Sequence, residues 1–444
     1  MNDKYQIIAA LNARGPLHDG QALADAVLSA VRTGDIPEGS RMPTIVEVAE
    51  ETALSTATVS RAWSSLGQLG VVRTRRRGGT VVVRPSPPTA YRHRGQEQTN
   101  ITHYLSAGYP DPELLVELPP LLQKVAHRTD YDGYAAKDRI SSTLFDRIMD
   151  TADHRPESAL IYTDVMAAMY DILRVLVPKG RPIIVGEPDF PLYALILRQL
   201  GLKLLPVPLG PHGYDLARLE EGLQAGASTM LLQTRVQNPT GLMIPNENVQ
   251  GIADLLLRHD GLALEVDHHL GLAPEASVRL AALAPSNTLL MISYGKVLHP
   301  DIRVAPLLGP EDLLYRISTT RMGSWVSALN RNLLEAALTD PEADATIDRA
   351  RKEYARRRTI FTEAFARRGL EVESNAGVNM WLPVRSEEAV LARLAEKGIS
   401  VSAGREYSHG GSPVSHIYLS LGLAGADPRW IAEACAEAAL EGGN

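Results

Sequence analysis

The 444-residue sequence predicts an α/β chain in two parts. Residues 1–84 read as a winged helix-turn-helix, and residues 101–444 as a large α/β domain whose end, from about 340, forms a smaller α/β subdomain. Three observations lead there. The first part reads as three helices followed by a basic hairpin. A proline-rich, aperiodic stretch comes next, and beyond it short apolar runs alternate with longer amphipathic segments, as strands and helices do in a largely parallel sheet.

In chain order, GQALADAVLSAVRT places Leu23, Ala26, Val27 and Val31 at helical spacing, and GDIPEGS supplies the turn that ends it. PTIVEVAEETAL and STATVSRAWSSLGQLG give two further helices, the second opening with Ser55 as N-cap. VVRTRRRGGTVVV reads as two strands around a basic turn. A helix starting at Ser55 suits the major groove of double-stranded DNA, with Thr56, Thr58 and Arg61 near base edges or phosphates. Arg73, Arg75, Arg76 and Arg77 would then meet the phosphate backbone and release counterions. The plainer alternative is a protein-docking module with a solvated basic hairpin.

Charge distribution agrees with a DNA-binding head. The net charge is −7, yet residues 1–95 hold 12 basic and 8 acidic side chains, which leaves 33 basic and 44 acidic for the rest. VVVRPSPPTAYRHRGQEQTN marks the break, and residues 85–100 are assigned to a linker. No apolar run is long enough to span a bilayer, so no membrane partner is expected. One cysteine, Cys435, excludes an intramolecular disulfide framework, and the N-terminus lacks the pattern of a secretory signal. The expected location is the cytoplasm, and no metal site is expected.

In the large domain SALIYT, RPIIVG, KLLPVPL, TMLLQT, LALEVD and LLMIS read as strands, PNENVQGIADLLLRHD and TIDRARKEYARRRTIFTEAFARRG as helices, and NMWLPV and SHIYLSLG as strands of the subdomain. The pieces IYTDVMAAMYDIL, GEPDFPLY, QTRVQNPTG, LEVDHHLG and SYGKVLHPDIR follow one another at a spacing that puts a pocket at the C-terminal ends of parallel strands. A lysine held there, desolvated, loses basicity and becomes able to form a Schiff base; Lys296 is that lysine. Ser293 and Arg303 offer a hydroxyl and a fork of donors suited to a phosphate. Asn238 suits a phenolic oxygen, Phe190 a flat ring, and an acid at the strand end a protonated pyridine nitrogen. These are a protein's duties toward pyridoxal 5'-phosphate. Taken singly, NPTG is equally a backbone turn and Lys296 a solvated lysine.

The run GDIPEGSRMPTIVEVAEETALSTATVSRAWSSLGQLGVVRTRRRGGTVV resembles the GntR-type winged helix over its full length, with Thr44 and Arg61 at matching positions. Val46 and Thr56 stand where that family usually carries arginines. Residues from about 100 to 440 resemble fold-type I, pyridoxal-phosphate-dependent aminotransferases, through NPTG and S-x-x-K with an arginine seven residues on. Together the halves resemble the MocR subgroup of GntR-type regulators. That resemblance implies that Lys296 carries the cofactor, with Asn238, Ser293 and Arg303 as partners, and that Tyr131 reaches the phosphate of a neighbouring subunit in a homodimer. It also implies an operator and a small-molecule amine effector as partners.

The chain departs from the aminotransferase pattern at four places. Thr163-Asp164-Val165 replaces the small, glycine-containing phosphate turn. Val266 aligns with the aspartate that pairs with the pyridine nitrogen, leaving Glu265 or Asp267 to serve, and only a bulge or a shifted register would bring Asp267 to the ring. His269 stands for a tyrosine, and Tyr418 for the arginine that grips a substrate carboxylate, with Arg405 or His416 as substitutes. The expected function is a DNA-binding transcription regulator controlled by pyridoxal 5'-phosphate, an amine, or both. The alternatives are a pyridoxal-phosphate enzyme with a vestigial head, and a cofactor-free regulator.

Overall fold

The computed structural model describes residues 3–14, 17–68, 71–75, 79–83, 101–128, 140–152, 154–273, 277–321, 325–410 and 415–441. Two compact units divide at Pro87 and Pro88. The expected linker, 85–100, lies outside the described residues.

The N-terminal unit contains α1 (Asp3–Asn12), α2 (Gly20–Thr33), α3 (Ile45–Thr52) and α4 (Thr56–Gln68), then the antiparallel pair β1 (Val72–Arg75) and β2 (Gly79–Val82). Helix α1 is an addition to the three expected; it carries Ile7 and Leu11 into a core with Leu23, Val27, Val48, Val59, Trp63, Leu66 and Val82. Each later helix starts where a side chain satisfies its free amides. Asp19 accepts from the Ala22 amide at 2.8 Å, and the Ser55 hydroxyl from the Thr58 amide at 3.1 Å. Thr44 and Glu47 form a reciprocal capping box on α3. Helix α2 stops at Gly34, whose φ of 81° is open to glycine at little cost.

The second unit starts with β3 (His103–Tyr104), α5 (Leu118–Val125), α6 (Ser142–Thr151), β4 (Ser158–Tyr162) and α7 (Val165–Leu176). Next come β5 (Pro182–Glu187), α8 (Pro191–Gln199), β6 (Lys203–Gly210), β7 (Gly213–Tyr214), α9 (Leu216–Gln224), β8 (Thr229–Leu232), α10 (Asn246–His259) and β9 (Leu262–Asp267). After α11 (Leu280–Leu283), β10 (Thr288–Ile292) and β11 (Ala305–Gly309), helices α12 (Glu311–Thr320) and α13 (Ala328–Leu338) lead into the long α14 (Pro341–Ala366). Last are β12 (Asn379–Pro383), α15 (Glu387–Glu396), β13 (Ile399–Ser400), β14 (Ser402–Ala403), β15 (His416–Ser420) and α16 (Arg429–Leu440).

The eight-stranded sheet has the order β4-β11-β10-β9-β8-β5-β6-β7. Its centre from β10 to β6 is parallel, while β11 runs antiparallel to both neighbours and β7 antiparallel to β6. Strand β11, in RVAPLLG, is absent from the expected set. Strands β8, β10 and β11 are buried along their whole length, as sheets covered on both faces require. The subdomain packs β12, β15 and β14 against α14, α15 and α16 through Phe361, Phe365, Leu382, Leu394, Ile417, Leu419 and Ile431. Among the described residues no helix is long and apolar enough to cross a membrane.

Strand β9 keeps an unbroken register with β10, Val266 opposite Met291 and Asp267 opposite Ile292. Alternation therefore sends Leu264 and Val266 into the core shared with Tyr162, Val185, Tyr193 and Leu231. Glu265 and Asp267 face the other way. Glu265 accepts from the Leu280 and Ala281 amides at 3.1 and 2.9 Å, and from the Thr234 hydroxyl. Asp267 lies 2.9 Å from the guanidinium of Arg279, with both side chains fully buried. Breaking a buried pair strands a charge, so Arg279→Met is expected to cost about 3–5 kcal/mol in denaturant unfolding of this unit, with part recovered when Asp267→Asn is added.

Candidate functional site

One edge of the sheet gathers the residues singled out from the sequence. The parallel strands β5, β8, β9 and β10 end there, and each is followed by a loop: Pro188–Phe190 after β5, Gln233–Asn238 after β8, His268 and His269 after β9, Ser293–Lys296 after β10. Strand β4 ends at the same edge and continues through Asp164 into α7, while antiparallel β11 begins there just after Arg303.

Lys296 is the centre of this edge. The side chain keeps some solvent contact, but its ammonium is desolvated enough to pull its pKa down to about 8. Its Nζ lies 3.5 Å from Nε2 of His269, a histidine with no solvent exposure. Burial, then the nearby lysine charge, hold His269 well below its ordinary range and take the adjacent His268 to about 3. Both imidazoles are thus neutral. His268 shares a 3.0 Å hydrogen bond with the Tyr193 hydroxyl. From the subdomain comes Tyr418, which donates to Asn379 Oδ1 at 2.9 Å. Gly108 lies between these parts: a Cβ there would sit 2.9 Å from both Lys296 Nζ and the Tyr418 hydroxyl, so a side chain at this position would fill the space around the amine.

The other expected site residues divide into three groups. Asn238, buried and preceding a cis proline, has an Oδ1 with no hydrogen-bond partner among the described residues. Phe190 is the N-cap of α8 and packs edge-on to Tyr193, ring centroids 5.4 Å apart; Ser293 is half-buried and opens the loop that leads to Lys296. Arg303 is already engaged, its guanidinium 3.3 Å from Asp164 Oδ2. Asp164 also caps α7, its Oδ1 accepting from the Ala167 amide at 2.9 Å.

Asp267 is a correction. It makes no turn toward the ring position, because the unbulged strand points it at Arg279, and its Oδ1 accepts from the His269 and Leu270 amides at 2.8 and 2.7 Å. Burial opposes its charge, but Arg279, Arg235 and the two amides hold its carboxyl below the usual range. Nor do the substitutes for the missing arginine reach Lys296. Arg405 pairs with Glu387 at 3.1 Å, and His416 stacks on Trp381; both line a separate cleft with Glu187 that does not include Lys296. Tyr131, Arg76 and Arg77 lie outside the described residues, and of Arg75 only the strand backbone is described.

Two residues of this edge escaped the sequence reading. His268 was passed over because only its neighbour aligned with a family position. Asp189 accepts from the Phe190 amide at 2.7 Å and from Gln233 Nε2 at 2.8 Å, and burial pushes its pKa up to about 8. The only sequence signal for it was its place in GEPDFPLY.

A family model for aminotransferases of class I and II matches residues 121–435. The chain belongs to that family. A model for bacterial regulatory proteins of the gntR family matches residues 20–82, so this aminotransferase-family chain has the two-part make-up of the MocR-type GntR regulators. The vitamin B6 salvage pathway transcriptional repressor PtsJ of Salmonella typhimurium is 26% identical over 396 residues, 88% of this chain and 91% of its own. The HTH-type pyridoxine biosynthesis transcriptional regulator PdxR of Corynebacterium glutamicum is 23% identical, covering 95% of this chain and 96% of its own. Among solved structures, the α-aminoadipate aminotransferase LysN of Thermus thermophilus superposes with a TM-score of 0.66 at 22% identity, over 76% of this chain and 90% of that one, which shows a shared fold.

Pyridoxal 5'-phosphate, the cofactor this family implies, is matched by these residues at one end only. Its aldehyde meets a desolvated lysine and its phenol an amide oxygen without a partner. Its phosphate would meet Asp164, which already takes one α7 amide and faces Arg303, and Val266, the position that counting along the sequence gives to the ring-nitrogen acid, is an apolar core residue. The residues do not fit the intact, protonated cofactor.

A lysine amine reacts with a carbonyl only when unprotonated, and that fraction rises with pH through the pKa. Reductive methylation of Lys296 by formaldehyde and cyanoborohydride, followed by peptide mass spectrometry, is therefore expected to rise to a midpoint near pH 8. Exposed lysines should still be gaining at about pH 10.

Proposed function

We propose that this chain is a DNA-binding transcription regulator whose aminotransferase-like unit senses a small carbonyl ligand at Lys296 and adjusts operator binding as a homodimer. The observation that carries this reading is the selective loss around a retained lysine. Lys296 and Asn238 stay in place, while the acid that would make a bound pyridine an electron sink is Val266 and the position of the substrate-carboxylate arginine holds Tyr418. Binding without turnover suits a sensor. The named roles of PtsJ and PdxR in vitamin B6 pathways support a ligand of the vitamin B6 group, with an amine as the second class to test.

The head supports the DNA part of the reading. On α4, Ala57, Ser60, Arg61 and Ser64 are exposed at helical spacing, whereas Val59, Ala62, Trp63 and Leu66 are buried, so one clean face is presented. Thr56 is exposed beside it, and Thr58 is half-buried at its edge. Thr44 and Ser55 act first as helix caps, which fixes the amide-rich starts of α3 and α4 for phosphate contact.

Selection of bound fragments from genomic DNA, followed by footprinting, tests the regulator. A protected site at low salt is expected, and Arg61→Ala should weaken it and reduce the salt slope by about one ion. Absence of any protected site, or steady conversion of an amino acid and a keto acid by the purified chain, would overturn this reading in favour of an enzyme.

A further inference from the structure

The anion-binding groups at the mouth of the Lys296 site are occupied by the protein itself. Asp164 accepts from the third amide of α7 through Oδ1 and faces the Arg303 guanidinium through Oδ2, with the Thr163 hydroxyl 3.4 Å away. Asp164 thus holds one amide of that helix start and the cation that an incoming phosphate would need. A dianion arriving there would gain one guanidinium already shared and lie beside a fixed carboxylate. On the far side, Val266 belongs to an apolar core and Asp267 is bound to Arg279 and two backbone amides, so nothing on this strand favours a protonated ring nitrogen.

What remains defines a narrower ligand. Lys296 supplies the amine, Gly108 the space around it, and Asn238 Oδ1 an acceptor for one hydroxyl. Phe190, Tyr193 and His268 form an aromatic, uncharged flank. We propose that Lys296 takes an aromatic aldehyde bearing a hydroxyl beside its carbonyl and no phosphate, and that Asp164 rejects phosphorylated analogues. This rests on the reading of Lys296 as the sensor's ligand site. In the step itself, the neutral amine adds to the carbonyl carbon and a C=N bond forms. The carbonyl oxygen leaves as water with both amine protons, so no oxidant or reductant is needed.

The test uses the full chain and three probes: salicylaldehyde, which has neither ring nitrogen nor phosphate; 5-deoxypyridoxal, which has the nitrogen and cannot close on itself; and pyridoxal 5'-phosphate. Imine absorbance gives the affinity of each, and borohydride reduction followed by peptide mass spectrometry locates it. The expected result is addition to Lys296 by the first two at similar affinity, with the phosphate at least about tenfold weaker. Asp164→Ser keeps a helix cap and removes the charge, so it should improve pyridoxal 5'-phosphate by about tenfold while leaving salicylaldehyde unchanged, which also reports an intact fold.

Equal or tighter binding of pyridoxal 5'-phosphate by the unaltered chain overturns the proposal and leaves the sensor reading standing. No gain for pyridoxal 5'-phosphate in Asp164→Ser, with salicylaldehyde retained, removes Asp164 from its role. No probe on Lys296 at all sinks the sensor reading as well.

Discussion

Because side chains of a strand alternate between faces, β9 can show the ligand edge either Val266 or its neighbours, and the Asp267–Arg279 pair decides which. Two charges without solvent contact are tolerated only while they face each other and their remaining valences are used. Asp267 Oδ1 also takes two backbone amides, Oδ2 is left to the ion pair alone, and Arg279 donates to the Thr151 carbonyl at 3.3 Å. Glu265, one pleat earlier, caps α11 from the same face. Slipping β9 by one residue would bury both acids in the apolar layer of Tyr162 and Tyr193, so the register is locked. The absence of an acid at the ring position follows from an interaction behind the sheet.

The same economy governs the opposite end of the site. A helix start with free amides and a nearby guanidinium is a ready anion site, and it draws the nearest anion that geometry allows. At α7 that anion belongs to the chain. Asp164 is half-exposed and its pair with Arg303 is at the surface, so the contact contributes little to stability. Its effect is on selection, since any ligand anion must compete with a tethered one that has no translational freedom to lose.

Most of the fold could be read in the sequence because its strands are short apolar runs and its helices carry caps. Ser55 and Gly34 mark helix ends in the text and in space. Strand β11 breaks the alternation that marked the others, following β10 with no helix between and running antiparallel to it. The site was legible in its parts: Lys296, Asn238, Ser293 and Arg303 do come to one edge. Asp267 is turned to Arg279 for a reason also present in the text, the face rule, since β9 shows neither the bulge nor the shifted register that would have brought it to the ring. Asp164 was visible as an anomaly, but its pairing with Arg303 joins residues 139 apart in sequence and only the sheet order β4-β11-β10 brings them together. Asp189 and His268 were missed because their roles depend on burial, and no local pattern encodes that.

Control of DNA binding needs a ligand that distinguishes two arrangements of the protein; taking a population from one part in a hundred to its inverse requires roughly a 10⁴-fold difference in affinity. Contact with Lys296 alone would not supply it, because β10 is held in the centre of the sheet. The amine, however, looks across Gly108 at Tyr418 on β15, and Tyr418 is fastened to Asn379 on β12. A ligand joined to Lys296 would enter the space that Gly108 leaves between the amine and Tyr418, beside the Tyr418–Asn379 pair. The subdomain meets the sheet unit through the long α14 and through loop contacts, among them the Asp189 amide on the Tyr407 carbonyl, the Asn375 and Ala376 amides on the Gly241 carbonyl, and the His409 and Gly410 amides on Glu187. Differential affinity can be generated there. On the proposed sensor reading, Tyr418 in place of an arginine has a physical sense: a neutral, packed side chain would register a ligand by moving, where a charged clamp would hold a substrate carboxylate still.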